Sequence, residues 1–230
     1  ADALSANTTG AQNVAVGKGS LTANTTASNN TAVGNNAMET NTTGANNTAL
    51  GGNALNVNTT GASNVAVGQT ALDANTTASN NTAIGYAALT ANTTGDLNVA
   101  VGSLALDANT VGDRNTALGS SSLTTFNVSS NADTYNTAVG ALSLKNLTTG
   151  TLNTAIGGQA MELATTGGSN VAMGYGALNA NTTGGNNVAI GTGALDANTT
   201  AEENTAVGYS AAGATTTGAS NVAVGSQALA

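Results

Sequence analysis

The side chains that carry most protein chemistry are absent or isolated in this sequence. There is no His and no Cys in 230 residues, which removes the Ser-His-Asp triad, the Cys nucleophile and the usual zinc or transition-metal site. The one adjacent acidic pair, Glu202-Glu203, reads as a solvated turn. The glycine-rich stretches "GKGSLT" and "GYGALN" lack the third Gly of a dinucleotide fingerprint, and no G-x-x-x-x-G-K-[ST] phosphate loop or G-G-x-G-x-D calcium nonapeptide occurs. No cofactor and no metal is expected, and the chain is not expected to be an enzyme. With three Lys plus Arg and a net charge of −8, it is poorly suited to nucleic acid or to an anionic membrane surface.

Two kinds of residue remain as candidate contact surfaces. One is a double rank of Thr in a recurring "N-T-T", whose first Thr is present in 12 of 13 copies (Thr8, Thr25, Thr42, Thr59 and onward). Only one of two successive strand residues faces water, and the hydroxyl of such a Thr suits bonding along a stack of strands. The triplet also matches the N-glycosylation pattern, for example at Asn24 and Asn41, but sugars on every copy would crowd one another. The other is aromatic: Tyr86, Tyr175 and Tyr209 share one turn position, and Phe126 and Tyr135 flank an insertion. All five are candidate surface contacts.

These residues are positioned by a repeat. The Asn opening each "N-[TV]-A-x-G" stands at 13, 30, 47, 64, 81, 98 and 115, then at 136, 153, 170, 187, 204 and 221. The spacing is 17 except once, where 21 residues imply a four-residue insertion within 120–135. A fixed period of this size marks a solenoid whose units bury their apolar faces only by stacking. Short β-branched alternation ending at Gly, without a helical stripe, makes each unit a coil of short strands and turns. The predicted fold is therefore all-β, a parallel β-solenoid (β-roll) of about 13 coils forming one repeat domain over 1–230. At about 4.8 Å per coil it would be a rod of roughly 60 Å. Both ends fall inside the repeat, so the sequence reads as a piece of a longer fibrous chain. No apolar run approaches the ~18–20 residues of a membrane helix, and no membrane insertion of this segment is expected.

Reading one offset down all coils assigns directions. The position three after the Asn (Val16, Val33, Leu50, Val67, Ile84 and onward) and the position eight after it (Leu21, Met38, Leu55, Leu72 and onward) are read as the inward core ladders. Stacked Asn amides are expected to bond up and down their ladder. The Gly four places later is expected to supply positive φ or close approach. Glu39, Asp73, Asp107, Glu162 and Asp196 share the ninth position after the Asn, and no two of them lie in adjacent coils. Such spacing avoids stacked like charge and favours solubility.

At "NTAVG", "NVAVG" and "NTAIG" followed by "xxAL", the chain resembles the head repeats of trimeric autotransporter adhesins. The 17-residue form with "ANTTG" is similar to repeat arrays of phage tail-fibre-type and bacterial surface proteins. The resemblance covers essentially the whole chain. It implies a parallel β-roll, three chains around a common axis, and an extracellular place on a cell or virion surface, with a host receptor or glycan as partner. The second half of the repeat is longer than in the adhesin heads.

One ladder is read as trimer-axis packing: Ala15, Ala32, Ala49, Ala66, Ala83, Ala100, Ala117, Ala138, Ala155, Ala172, Ala189, Ala206 and Ala223. It alternates with the Val ladder and is taken to face outward, where uniform Ala implies another chain against it. The expected function is a non-enzymatic adhesive or structural fibre segment. The alternative is an ice-binding solenoid using the Thr rank. A polysaccharide-cleaving β-helix is disfavoured, because no convergent carboxylates are present.

Overall fold

The computed structural model describes residues 2–229. The protein is an all-β parallel β-solenoid with a 17-residue repeat, and no helix occurs among the described residues. It forms two compact units, the residues up to Arg114 with Asn127–Asp133, and Asn115–Phe126 with the residues from Thr134 onward.

In the first unit, β1 (Val14–Val16), β2 (Thr31–Val33), β3 (Thr48–Leu50), β4 (Val65–Val67), β5 (Thr82–Ile84) and β6 (Val99–Val101) stack in chain order, followed by β7 (Gly112–Asp113). In the second, β8 (Thr116–Leu118) pairs across the insertion with the strand from Thr137. The insertion contributes β9 (Ala132–Asp133) to the first unit. The second unit continues with β10 (Thr137–Val139), β11 (Thr154–Ile156), β12 (Val171–Met173), β13 (Val188–Ile190), β14 (Thr205–Val207) and β15 (Val222–Val224). Every pairing is parallel, and in the repeat strands each residue lies opposite its own copy, as Ala32 lies opposite Ala49. Identical side chains are thereby brought to about 4.8 Å from one another.

Three features predicted from the sequence are present. The Leu/Met ladder is buried, including Leu21, Met38, Leu55 and Leu72. The opening Asn amides form a ladder within each unit. Oδ1 of Asn30 accepts the backbone N–H of Asn47 at 2.9 Å, while Nδ2 of Asn47 donates to the carbonyl of Gly61 at 2.9 Å. A second buried ladder, starting eleven places after the first, links Asn58 Nδ2 to Asn41 Oδ1 at 2.8 Å. The Gly at the end of each strand satisfies both expectations made for it. Gly68 has φ +135°, and a methyl group there would overlap the carbonyl of Gly85.

One assignment is reversed. The Ala ladder from Ala15 to Ala223, expected on a trimer axis, points into its own coil: Ala32, Ala49, Ala66, Ala83 and Ala100 are fully buried within a single chain. The aliphatic ladder expected inside faces outward instead, with Val16 57% and Ile84 39% exposed. The physical reason is width. Leu55 with Ala54, and the two Asn ladders, already fill the coil, so only a methyl group fits where the strand faces inward, and the larger side chain must turn out.

The insertion is anchored rather than loose. Phe126, expected at the surface, is fully buried at the position that most other coils give to Asn of the second ladder. Beyond it, Ser129, Ser130 and Asn131 are exposed, so that part does leave the coil. The segment then returns as β9 against β7, with Asp133 opposite Asp113. Arg114 Nε holds Asp133 Oδ1 at 2.6 Å.

The Gly ladder gives a direct test. Gly68→Ala should lower stability by about 3 kcal/mol or more, from left-handed strain and overlap with Gly85. Gly52→Ala, where an added Cβ meets nothing within 4 Å, should stay within about 0.5 kcal/mol of the parent. Denaturant unfolding of the two variants beside the parent measures the difference.

Candidate functional site: an outward aliphatic face and a tyrosine groove

The strand sequence T/V-A-V/I/L places its first and third residues on the same outer side of the sheet. Along the first unit these are Val14 and Val16, Thr48 and Leu50, Thr82 and Ile84, with their copies between. The second unit repeats the arrangement with Ile156, Met173 and Ile190 exposed in successive coils. Each face is a two-rank surface whose third strand position is aliphatic in every coil, exposed or half-exposed throughout. A sustained apolar surface of this kind is the feature that marks an interaction site, whereas scattered exposed Leu does not.

The Thr ranks separate as alternation requires. The first Thr of each pair donates its hydroxyl along the stack, from Thr42 Oγ1 to the carbonyl of Thr59 and from Thr59 Oγ1 to that of Thr76, both at 3.0 Å. The second Thr is the exposed one, at Thr26, Thr43, Thr60, Thr77 and Thr94 in the first unit. The rank runs unbroken from Thr26 to Thr94, and Val111 takes the position in the following coil.

Tyr86, Tyr175 and Tyr209 are all exposed, and Tyr135 is half-exposed. Tyr175 and Tyr209 border an open groove of about 390 Å³ in the second unit. They occupy equivalent positions two coils apart, about 9.6 Å along the stack. The floor is made by Gly176 and Gly193, which stand where most other coils carry a larger side chain such as Asn36, Leu104 or Gln159. Glu162 and Asp196 also line it, with Gln159, Asn179 and Thr192. Gln159 Nε2 donates to Glu162 Oε2 at 3.0 Å, and Asn179 Nδ2 to the carbonyl of Gln159 at 2.9 Å. The ring of Tyr175 lies over Gly158. The sequence identified the two tyrosines but read Glu162 and Asp196 as solubilising charges. The missed signal was glycine in two consecutive coils at a position that most other coils fill. Tyr86 stands beside Ala87, and the next coil carries Leu104, so its floor is raised.

Acid placement also differs from the expectation of well-spaced charge. One offset stacks carboxylates directly: the backbone N–H of Ser79 bonds Asp96 Oδ1 at 2.6 Å, and that of Asp96 bonds Asp113 Oδ1 at 2.7 Å. Burial raises the Asp113 carboxyl above its ordinary value. The hydrogen bond from Asp96 opposes this, the charges of Asp96 and Asp133 add to it, and Arg114 offsets part. Burial also raises Asp73, and Asp107, where a bond from Thr90 acts against it. No group of three or more potential metal-ligating side chains occurs among the described residues.

A folded-state pKa above the unfolded value means that the folded chain holds the proton more tightly. The resulting stability is fully present below the unfolded value, near 3.8, and is lost as pH rises through the folded one. The melting temperature should therefore rise as pH falls from neutrality into the carboxyl range. Replacing Asp73, Asp107 and Asp113 together by Asn should flatten that rise, as read from melting curves at stepped pH. Compared with known proteins, the chain matches no family model, no curated protein and no solved structure.

Proposed function

We propose that this chain is a non-enzymatic segment of an extracellular fibre, on a cell or virion surface, in which identical chains pack side by side through the outward aliphatic face. The observation behind this reading is the direction of the third strand position: it is Val, Ile, Leu or Met in every repeat, yet it faces away from the chain's own core. Water-facing strand positions ordinarily alternate to polar residues. A second copy with the same face is the natural cover, because parallel rods bearing identical stripes close around a common axis. Three is the number implied by the resemblance to trimeric surface-fibre repeats. The contact is thereby carried by the Val/Ile rank and not by the Ala ladder.

Ice binding is the second reading, favoured by the unbroken rank of exposed Thr from Thr26 to Thr94. It is weaker because it leaves the aliphatic face without a role.

The test is mass in solution. The parent should have three times 21.8 kDa. Ile84→Glu with Val101→Glu should convert it to single chains that keep their β signal by circular dichroism, since burying unpaired carboxylates at an axis costs several kcal/mol. A parent of single-chain mass, shaping ice crystals at micromolar concentration, would overturn the fibre reading in favour of ice binding.

A further inference from the structure

We propose that the groove between Tyr175 and Tyr209 binds an uncharged, extended oligosaccharide of the β-1,4-linked type, its sugar rings stacking on the two phenol rings. The site goes beyond the fibre reading and does not depend on assembly, since neither outward strand position lines it.

Three properties of the groove select this ligand. The first is the aromatic spacing. Tyr175 and Tyr209 are 62% and 58% exposed, and they recur two coils apart, about 9.6 Å by the strand spacing. That is close to the length of a disaccharide unit in an extended β-1,4 chain, in which alternate rings present the same face. Aromatic rings carry a negative face that attracts the C–H groups of a sugar. The ring of Tyr175 is steadied over Gly158, so less freedom is lost on binding.

The second property is the floor. Gly176 and Gly193 remove side chains beside the tyrosines, the small Thr192 holds the position between the two rings, and a Cβ added at Gly176 would meet nothing within 4 Å. The space is therefore open to a ligand rather than filled by packing. The third is polarity. Glu162 and Asp196 offer carboxylate acceptors, with the amide groups of Gln159 and Asn179 beside them, and no Lys or Arg lines the groove. Acceptors of this kind suit sugar hydroxyls and repel sulfated, sialylated or uronate glycans. Placing a few polar groups beside apolar platforms fixes orientation, as small-ligand sites generally do.

The experiment is titration of the full chain with cellotetraose, followed by calorimetry and by tyrosine fluorescence, beside a sulfated tetrasaccharide and a Lys-rich peptide. Tyr175→Ala and Tyr209→Ala should each weaken cellotetraose binding about tenfold, while Tyr86→Ala leaves it unchanged. Gly176→Gln should block the groove without unfolding the chain, because Gln159 already occupies the equivalent left-handed position at φ 58°. No detectable binding to the parent, equal loss at Tyr86, indifference to Gly176→Gln, or tighter binding of the sulfated sugar or the peptide would each overturn the proposal. Groove-dependent cellotetraose binding by a chain of single-chain mass would uphold this site while overturning the trimer.

Discussion

The constraint on which the structure depends is that a buried Asn must meet its own copy in the next coil, every 17 residues but once. Its amide both accepts from the backbone of the next coil and donates to the carbonyl fourteen places on. An unpaired amide in that position would cost about 1–3 kcal/mol. Displacing one coil by a single residue would orphan the amides on both sides of the step, so register is held by polar satisfaction as well as by apolar contact. Among the described residues no buried side-chain nitrogen or oxygen lacks a partner. The core is thus half hydrogen-bonded ladder and half stacked Ala and Leu. This is how a chain with one Phe and no Trp sustains an interior.

A narrow interior then dictates the exterior. Because two amide ladders and a Leu ladder occupy the coil, the strand can present only a methyl group inward. The Val, Ile and Leu of the same strand are directed to the outside, where they stand exposed or half-exposed. The groove in the second unit is the opposite case, a local vacancy made by glycine on the turn side and bordered by two rings.

Period, strand placement, the Leu ladder and the Asn ladder were all legible in the sequence, because each recurs at a fixed offset and has one physical use. The direction of the strand was not. Alternation says that Ala32 and Val33 face opposite ways, but it does not say which way is in, and hydrophobicity alone favours Val. What decides is the volume left by the facing ladder, occupied by Met38 in that coil and by Leu55 in the next, and this is a three-dimensional quantity. Phe126 was misplaced for a related reason. Beside an insertion it looks like part of the excursion, whereas it takes an Asn position in the stack and lies in the core. The groove was half legible: its tyrosines are visible as a pattern, but a vacancy is made by residues that are not there.

The backbone of the Leu ladder has a consequence for how such a chain forms. Leu55, Leu72 and Leu89 all have φ near +52°, a left-handed conformation costing about 1–2 kcal/mol for an L-residue. Two further non-glycine positions in most coils share it, as at Asn53 and Ser63. The ladder at Leu55 never uses Val or Ile, whose branched Cβ fits that region worst. A lone coil therefore opposes its own local preferences and gains nothing to offset them until a neighbour is in place. Growth must proceed on an existing template, each finished coil supplying the hydrogen bonds and the surface that hold the next in its strained shape. The slow event is the first pair of coils, and the cooperativity of the solenoid is written in the handedness of its leucines.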